Sequence, residues 1–327
     1  EPIRGRDLAL HDRARRGGRG HWHAQDLERG DQALSAPPSA HRIAVGTGLE
    51  LNLLEWNASA EPQRTLLLLH GFLDTARTWE AAVGAGLGEG FHVVAADLRG
   101  HGDSDRVGPG GYYHFFDYLP DIAGIVEGLA PKRLALVGHS MGGTLASYFA
   151  GTFPERVEHL ALLEGIGPPE DDTDVPDRVR AWAAAWKRRL ADVPRSYPTV
   201  GAVAERLLAT DPKLTQQRAL RLAETGTTEL ENGERVFKHD LLHLSRGPYP
   251  FRVDIAESFW RRVRCPVLYV DGEESSYRAL GREVDRRLAC FDHVERVTLP
   301  NAGHMLQRHQ PELLAGVLQR FLRDPGE

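Results

Sequence analysis

The stretch Gly138-His139-Ser140-Met141-Gly142 follows a short apolar run, Leu134 to Val137, and precedes a helix-like stretch from Gly143 to Thr152. A strand that enters a helix through so short a link presses the two backbones together. Side chains beside the corner must vanish, hence glycine at 138 and 142. The residue at the apex is lifted off the sheet edge, where a base can reach its hydroxyl, and here that residue is Ser140. In a chain with 34 glycines such a spacing also arises by chance. The buried-strand pattern before it and the helical pattern after it make the corner a structural reading.

Further short apolar runs suit strands buried on both faces. They are Thr65 to Leu69, Phe91 to Ala96, Leu134 to Val137, His159 to Leu163, Cys265 to Val270 and Val294 to Leu299, with an earlier strand over Leu49 to Trp56. Helical stretches fall between several of them: Trp79 to Leu87, Tyr118 to Leu129 and Gly143 to Thr152. Pro311 to Leu322 is another, with proline in its first turn. Alternation of this kind implies an α/β fold with a mostly parallel, doubly wound sheet.

Residues 169–262 break the alternation. They read as amphipathic helices, Arg178 to Leu190, Val200 to Leu208 and Leu214 to Ala223. A hairpin follows, with Asn232-Gly233 between Thr227 to Leu230 and Arg235 to Phe237. This block is expected to be a helical cap inserted between a first core part, 41–168, and a second, 263–327. Trp182 and Trp186 share one helical face, either packing on the sheet or lining a substrate pocket. Residues 1–40 read as a disordered tail or a mis-assigned start. Arg13 to Arg19 is basic and glycine-rich, and Ser35 to Ser39 resembles a linker.

Composition removes several function classes. A formal net charge of −6 gives no reason to expect nucleic acid or an anionic membrane as partner. Two cysteines, Cys265 and Cys290, exclude a disulfide framework and fit a reducing compartment. No apolar stretch approaches the roughly 18 to 20 residues of a membrane span. The first residues lack the apolar centre of a secretory signal, so a cytoplasmic location is expected. His21 and His23 have no third ligand, and the glycine-rich stretches match no phosphate loop or dinucleotide fingerprint. No metal or cofactor is therefore expected.

His70-Gly71-Phe72, Asp97-Leu98-Arg99-Gly100-His101-Gly102-Asp103-Ser104, Gly138 to Gly143 and Asn301-Ala302-Gly303-His304 occur in that order. Together they resemble the α/β-hydrolase fold family with a helical cap, over roughly residues 41–327. Thr225 to Thr228, Asn232-Gly233 and Phe237 look like its serine hydrolase-like branch. The resemblance implies Ser140 as nucleophile and His304 as base, in the order serine, acid, histidine. It implies an oxyanion hole from the backbone N–H groups of Met141 and Phe72. Because backbone atoms do that work, the side chains of these two residues shape the pocket instead.

The family usually carries its acid a few residues past the glycine after the fifth strand run. Here the loop reads Asp271-Gly272-Glu273-Glu274-Ser275-Ser276-Tyr277, with serine at the expected position. Some members carry the acid after the preceding strand, where this chain has Glu164. A carboxylate ending a buried apolar run sits at the catalytic edge, so Glu164 is favoured, with Asp271 as the alternative. The expected reaction is hydrolysis of an ester-type bond in a small organic substrate. Carbon–carbon hydrolysis, lactone opening, acyl transfer and a weakly catalytic binding scaffold are the alternatives. Epoxide and haloalkane hydrolysis are disfavoured, because those relatives carry Asp where this chain has Ser140.

Overall fold

The computed structural model describes residues 37–58 and 64–323. His21, His23 and residues 1–36 of the expected tail lie outside the described residues. Ser39 and Ala40, read from sequence as tail, instead open strand β1 (Ser39–Ala44), which pairs antiparallel with β2 (Glu50–Trp56).

Six further strands complete one sheet: β3 (Thr65–Leu69), β4 (His92–Ala96), β5 (Leu134–His139), β6 (His159–Leu163), β9 (Val267–Gly272) and β10 (Val294–Leu299). Its order is β1-β2-β4-β3-β5-β6-β9-β10. β3, β4, β5, β6, β9 and β10 run parallel, and β1 and β2 are antiparallel at one edge. β7 (Thr227–Glu229) and β8 (Arg235–Phe237) form a separate hairpin. The helices are α1 (Glu80–Gly84), α2 (Tyr118–Leu129), α3 (Met141–Thr152), α4 (Val175–Arg189) and α5 (Val200–Thr210). They continue as α6 (Gln216–Thr225), α7 (Val253–Trp260), α8 (Arg282–Leu288), α9 (Leu306–His309) and α10 (Pro311–Leu322). No helix among the described residues is long and apolar enough to cross a membrane.

Continuous leucine in β3 follows from burial on both faces. Leu66 and Leu68 join the layer of α1 and α10, while Leu67 and Leu69 join the layer of α2, α3, α7 and α8. Each fully buried leucine is worth about 1.5 to 3 kcal/mol, against about 0 to 1 kcal/mol for an exposed ion pair. The leucines of β3, not surface charge, therefore tie the two layers together. β10 departs from expectation: only Val297 and Leu299 are buried, as suits an edge strand.

The chain leaves β3 for β4 on one side and returns to β5 on the other. Loops that diverge from adjacent parallel strands leave a crevice at their carboxyl ends, the usual place for a site in an open α/β sheet. The segments after β3 and β5, His70 to Asp74 and the Ser140 corner, flank that crevice.

The interruption between β6 and β9 holds α4, α5, α6 and the β7–β8 hairpin. α5 and α6 have a small core of their own, including Val203, Ala204, Leu214, Ala219 and Ala223. The block 169–262 also contains α7. α7 buries Val253, Ala256 and Trp260 in the main core, and Trp260 Nε1–H donates to Ser147 Oγ of α3 at 2.9 Å. Trp182 and Trp186 pack on Tyr112, with ring centroids 5.3 and 5.1 Å away. Trp186 also lines a cleft of about 460 Å³ with Arg99, Tyr112, His114 and Asp117; Ser140 is not among its lining residues.

At Gly142 a Cβ would stand 2.5 Å from the His70 carbonyl oxygen and 2.7 Å from the Leu69 carbonyl carbon. Backbone cannot rotate away as a side chain can. Gly142→Ala is therefore expected to cost at least about 2 kcal/mol, seen as a lowered midpoint in urea unfolding. An unchanged midpoint would remove the close approach of β3 and α3.

Candidate active site

Ser140 has φ +52° and ψ −116°, a conformation that a residue with a Cβ rarely adopts. The surroundings impose it. Ser140 N–H donates to the Leu163 carbonyl at the end of β6 (2.9 Å), and the Thr144 hydroxyl donates to the Ser140 carbonyl (3.3 Å). A Cβ at Gly138 would lie 2.5 Å from the Gly143 Cα, so the strand and α3 meet only because that position is bare.

His304 follows β10 on the loop Asn301 to Met305. Its Nε2 lies 3.0 Å from Ser140 Oγ, so the serine O–H donates to it. Its Nδ1–H donates to Glu164 Oε2 at 2.6 Å. Glu164 directly follows β6 with φ +48°, and its backbone N–H donates to the Val270 carbonyl at 3.0 Å. The Glu164 side chain is fully buried. A buried carboxylate without donors is strongly unfavourable, and this one has three. Besides His304, the Ser275 hydroxyl donates to Oε2 at 2.6 Å and the Gly272 N–H to Oε1 at 2.9 Å.

The segment after Glu164 lies against the serine corner. A Cβ at Gly165 would stand 2.9 Å from the Ser140 carbonyl oxygen, and Gly167 N–H donates to Thr144 Oγ1 at 3.0 Å. Arg287 of α8, fully buried, gathers the carbonyls of Ile166, Gly167 and Pro168 on Nη1 at 2.8 to 2.9 Å. Nothing in the sequence pointed to Arg287, because its role depends on three carbonyls over a hundred residues away. Ser275, in the loop where the family usually carries its acid, supports the carboxylate that faces the imidazole.

The other carboxylates of the β9 loop are engaged elsewhere. Asp271 is held by Arg296 (Nε at 3.0 Å) and by the Thr298 hydroxyl (2.5 Å) on β10. Glu273 accepts from Asn301 N–H at 3.3 Å, and Glu274 pairs with Lys213 at 2.7 Å. The structure thus brings Glu164, not Asp271, to His304. Asp271 sits inside β9, where its side chain is fixed by the neighbouring edge strand.

Met141 opens α3, so its N–H has no partner within the helix. The Phe72 segment lies beside it: a Cβ at Gly71 would be 3.3 Å from Ser140 Cβ. Three contacts hold this loop. His70 Nδ1–H donates to the Gly71 carbonyl (2.7 Å), while its Nε2 accepts from Leu98 N–H (3.0 Å). His101 Nε2 accepts from Leu73 N–H (3.3 Å). The Phe72 side chain is half exposed above the loop. Asp97 to Ser104 forms a structural turn: buried Asp97 accepts from Ala76 N–H (2.7 Å), Asn52 Nδ2 (2.9 Å) and Asp103 N–H (3.0 Å).

Three buried histidines around the site are held neutral. Burial, with His304 nearby, pushes His139 down to about 3; its Nε2–H donates to the His304 carbonyl at 2.8 Å. Burial lowers His243 to about 4, where its ring lies between His101 (4.1 Å) and Tyr113 (3.9 Å). Burial also drives His101 well below its ordinary value.

This geometry belongs to a recognised class. The family described as alpha/beta hydrolase fold matches residues 64–308, and the chain belongs to it. A serine hydrolase-like protein from Dictyostelium discoideum is 26% identical over 277 residues, covering 80% of this chain and 76% of that protein. A serine hydrolase-like protein from Danio rerio is 29% identical over 298 residues, covering 87% and 88%. The solved structure of a hypothetical protein from Pseudomonas aeruginosa PAO1 superposes with a TM-score of 0.75 at 26% identity, covering 88% of this chain and 98% of that one. Within the family the chain resembles the serine hydrolase-like branch.

The neutral histidines set a pH dependence. Unfolded, each takes up a proton near its ordinary value of about 6.5; folded, His243 resists to about 4 and His139 to about 3. The unfolded state therefore binds more protons, and stability must fall as pH drops from about 6.5 toward 4. Urea unfolding across that interval is expected to show the loss, with a shallower slope in His243→Gln. Equal slopes would mean that His243 is not held neutral.

Proposed function

We propose that this chain is a serine hydrolase that cleaves an ester-type bond of a small organic substrate through an acyl-enzyme on Ser140. The observation that carries the reading is the unbroken line from Glu164 through His304 to Ser140, at 2.6 and 3.0 Å. As Ser140 Oγ attacks the acyl carbon, its proton passes to His304 Nε2 and then to the leaving group. Glu164 keeps the other ring nitrogen protonated and balances the imidazolium that forms. The N–H groups of Met141 and Phe72 receive the developing oxyanion, each worth about 3 to 4 kcal/mol. Water, deprotonated by His304, then releases the acyl group. Every proton in this cycle moves between the substrate, water, Ser140 and His304.

The scaffold alternative drew on the serine where an acid was expected. The Glu164 carboxylate on His304 supports turnover instead, and covalent labelling of Ser140 by a fluorophosphonate separates the two. Ser140→Ala is expected to lower turnover of a short-chain ester by about 10⁴ to 10⁶; retained activity would refute the nucleophile. In the same assay Glu164→Gln should lose about 10⁴, while Asp271→Asn stays within about threefold of wild type. The reverse ranking would move the acid to Asp271.

A further inference from the structure

His139 sits in the serine corner, yet the acyl-transfer steps above give its side chain no part. The ring is buried among three segments. Its Nε2–H donates to the His304 carbonyl at 2.8 Å. A carbonyl can only accept, so Nε2 carries the hydrogen, and Nδ1 accepts from Gln307 Nε2 of α9 at 3.4 Å. On the oxyanion side, a Cβ at Gly71 would stand 2.8 Å from Nδ1. Gln307, fully buried, also donates to Thr78 Oγ1 at 3.1 Å. Arg308 reaches the same hydroxyl through Nε at 3.1 Å and holds Asp74, beyond Phe72, through Nη2 at 2.6 Å.

The His304 loop depends on such a tether. It follows β10, an edge strand in which only Val297 and Leu299 are buried. Among the described residues no other hydrogen bond reaches the His304 carbonyl. Adjacent residues of the corner thus grip one residue of the loop twice, His139 by its backbone and Ser140 by its ring.

We propose that His139 is a positioning residue, which holds the His304 backbone in register with Ser140 so that base and nucleophile keep their separation through the cycle. The inference rests on the serine hydrolase reading. The Ser140–His304 hydrogen bond cannot hold the loop by itself. Its proton leaves Oγ during acylation, and Nε2 then turns to the leaving group and to water. The hydrogen bond to the carbonyl transfers no proton and persists through every step. His139 also faces the imidazolium that forms, with ring centroids 4.7 Å apart, and its own neutral ring adds no like charge there.

The test compares two amides at position 139 in the full chain. Glutamine carries an N–H to the level of the histidine Nε2, whereas asparagine ends at the level of Nδ1 and falls short of the carbonyl. The two share one polar group and both vacate the ring, so their ratio isolates reach from any common loss of stability. His139→Asn is expected to lower kcat for p-nitrophenyl acetate by about 10²-fold, the scale of a displaced catalytic group. KM should stay within about threefold. His139→Gln should recover at least about tenfold of that loss. In a His304→Ala background His139→Asn should cost less than about threefold, because no imidazole remains to be placed. Equal activity of the two amides, or the same cost in both backgrounds, would overturn the role of His139. Fluorophosphonate labelling of the wild type keeps the two readings apart. An unlabelled Ser140 sinks the serine hydrolase reading and this inference with it, whereas a labelled Ser140 with equal amide variants sinks this inference alone.

Discussion

The buried carboxylate of Glu164 is the constraint around which the site is arranged. It joins the end of β6 to the His304 loop, 140 positions away, and to the loop after β9 through Gly272 and Ser275. A charge at this depth persists only where its lone pairs are taken, so each donor is held in place by the same demand. Arg287 on the carbonyls of 166 to 168, and Thr144 on Gly167, hold the backbone that presents it.

Strain gathers at one edge of the sheet. Leu73, Ser140 and Glu164 follow β3, β5 and β6, and all three have positive φ. Each such residue costs on the order of 1 to 3 kcal/mol, which the leucine-filled strands beneath them offset through burial. The sheet interior supplies rigidity, and the crevice where β3 and β5 diverge uses it to hold backbone N–H groups and side chains in uncommon orientations.

Much of the fold was legible because its signals are local. The runs of β3 and β6 and the helices α2 and α10 have the bounds their sequence suggests, since burial on both faces or along one helical stripe writes itself into residue order; β10 keeps its bounds too, although only Val297 and Leu299 are buried. α8 left no such signal: three of its seven residues are arginine, and one of those, Arg287, is fully buried. α7, only eight residues long, falls within the 169–262 block, and its apolar positions do not by themselves say that they join the main core. β1, polar and largely exposed at a sheet edge, resembled the linker before it.

The same division runs through the site. Sequence alone marked the serine corner, because glycine at 138 and 142 answers a steric demand made by immediate neighbours. It also marked His304 by its motif, and it narrowed the acid to two places without reading the partners of either. Only the tertiary structure set Glu164 against the imidazole, turned Asp271 toward Arg296 and Thr298, and laid Tyr277 on the ring. The physical reason is range: sterics at a tight turn act between adjacent residues, whereas the partner of a buried charge is whichever donor the sheet order carries to it.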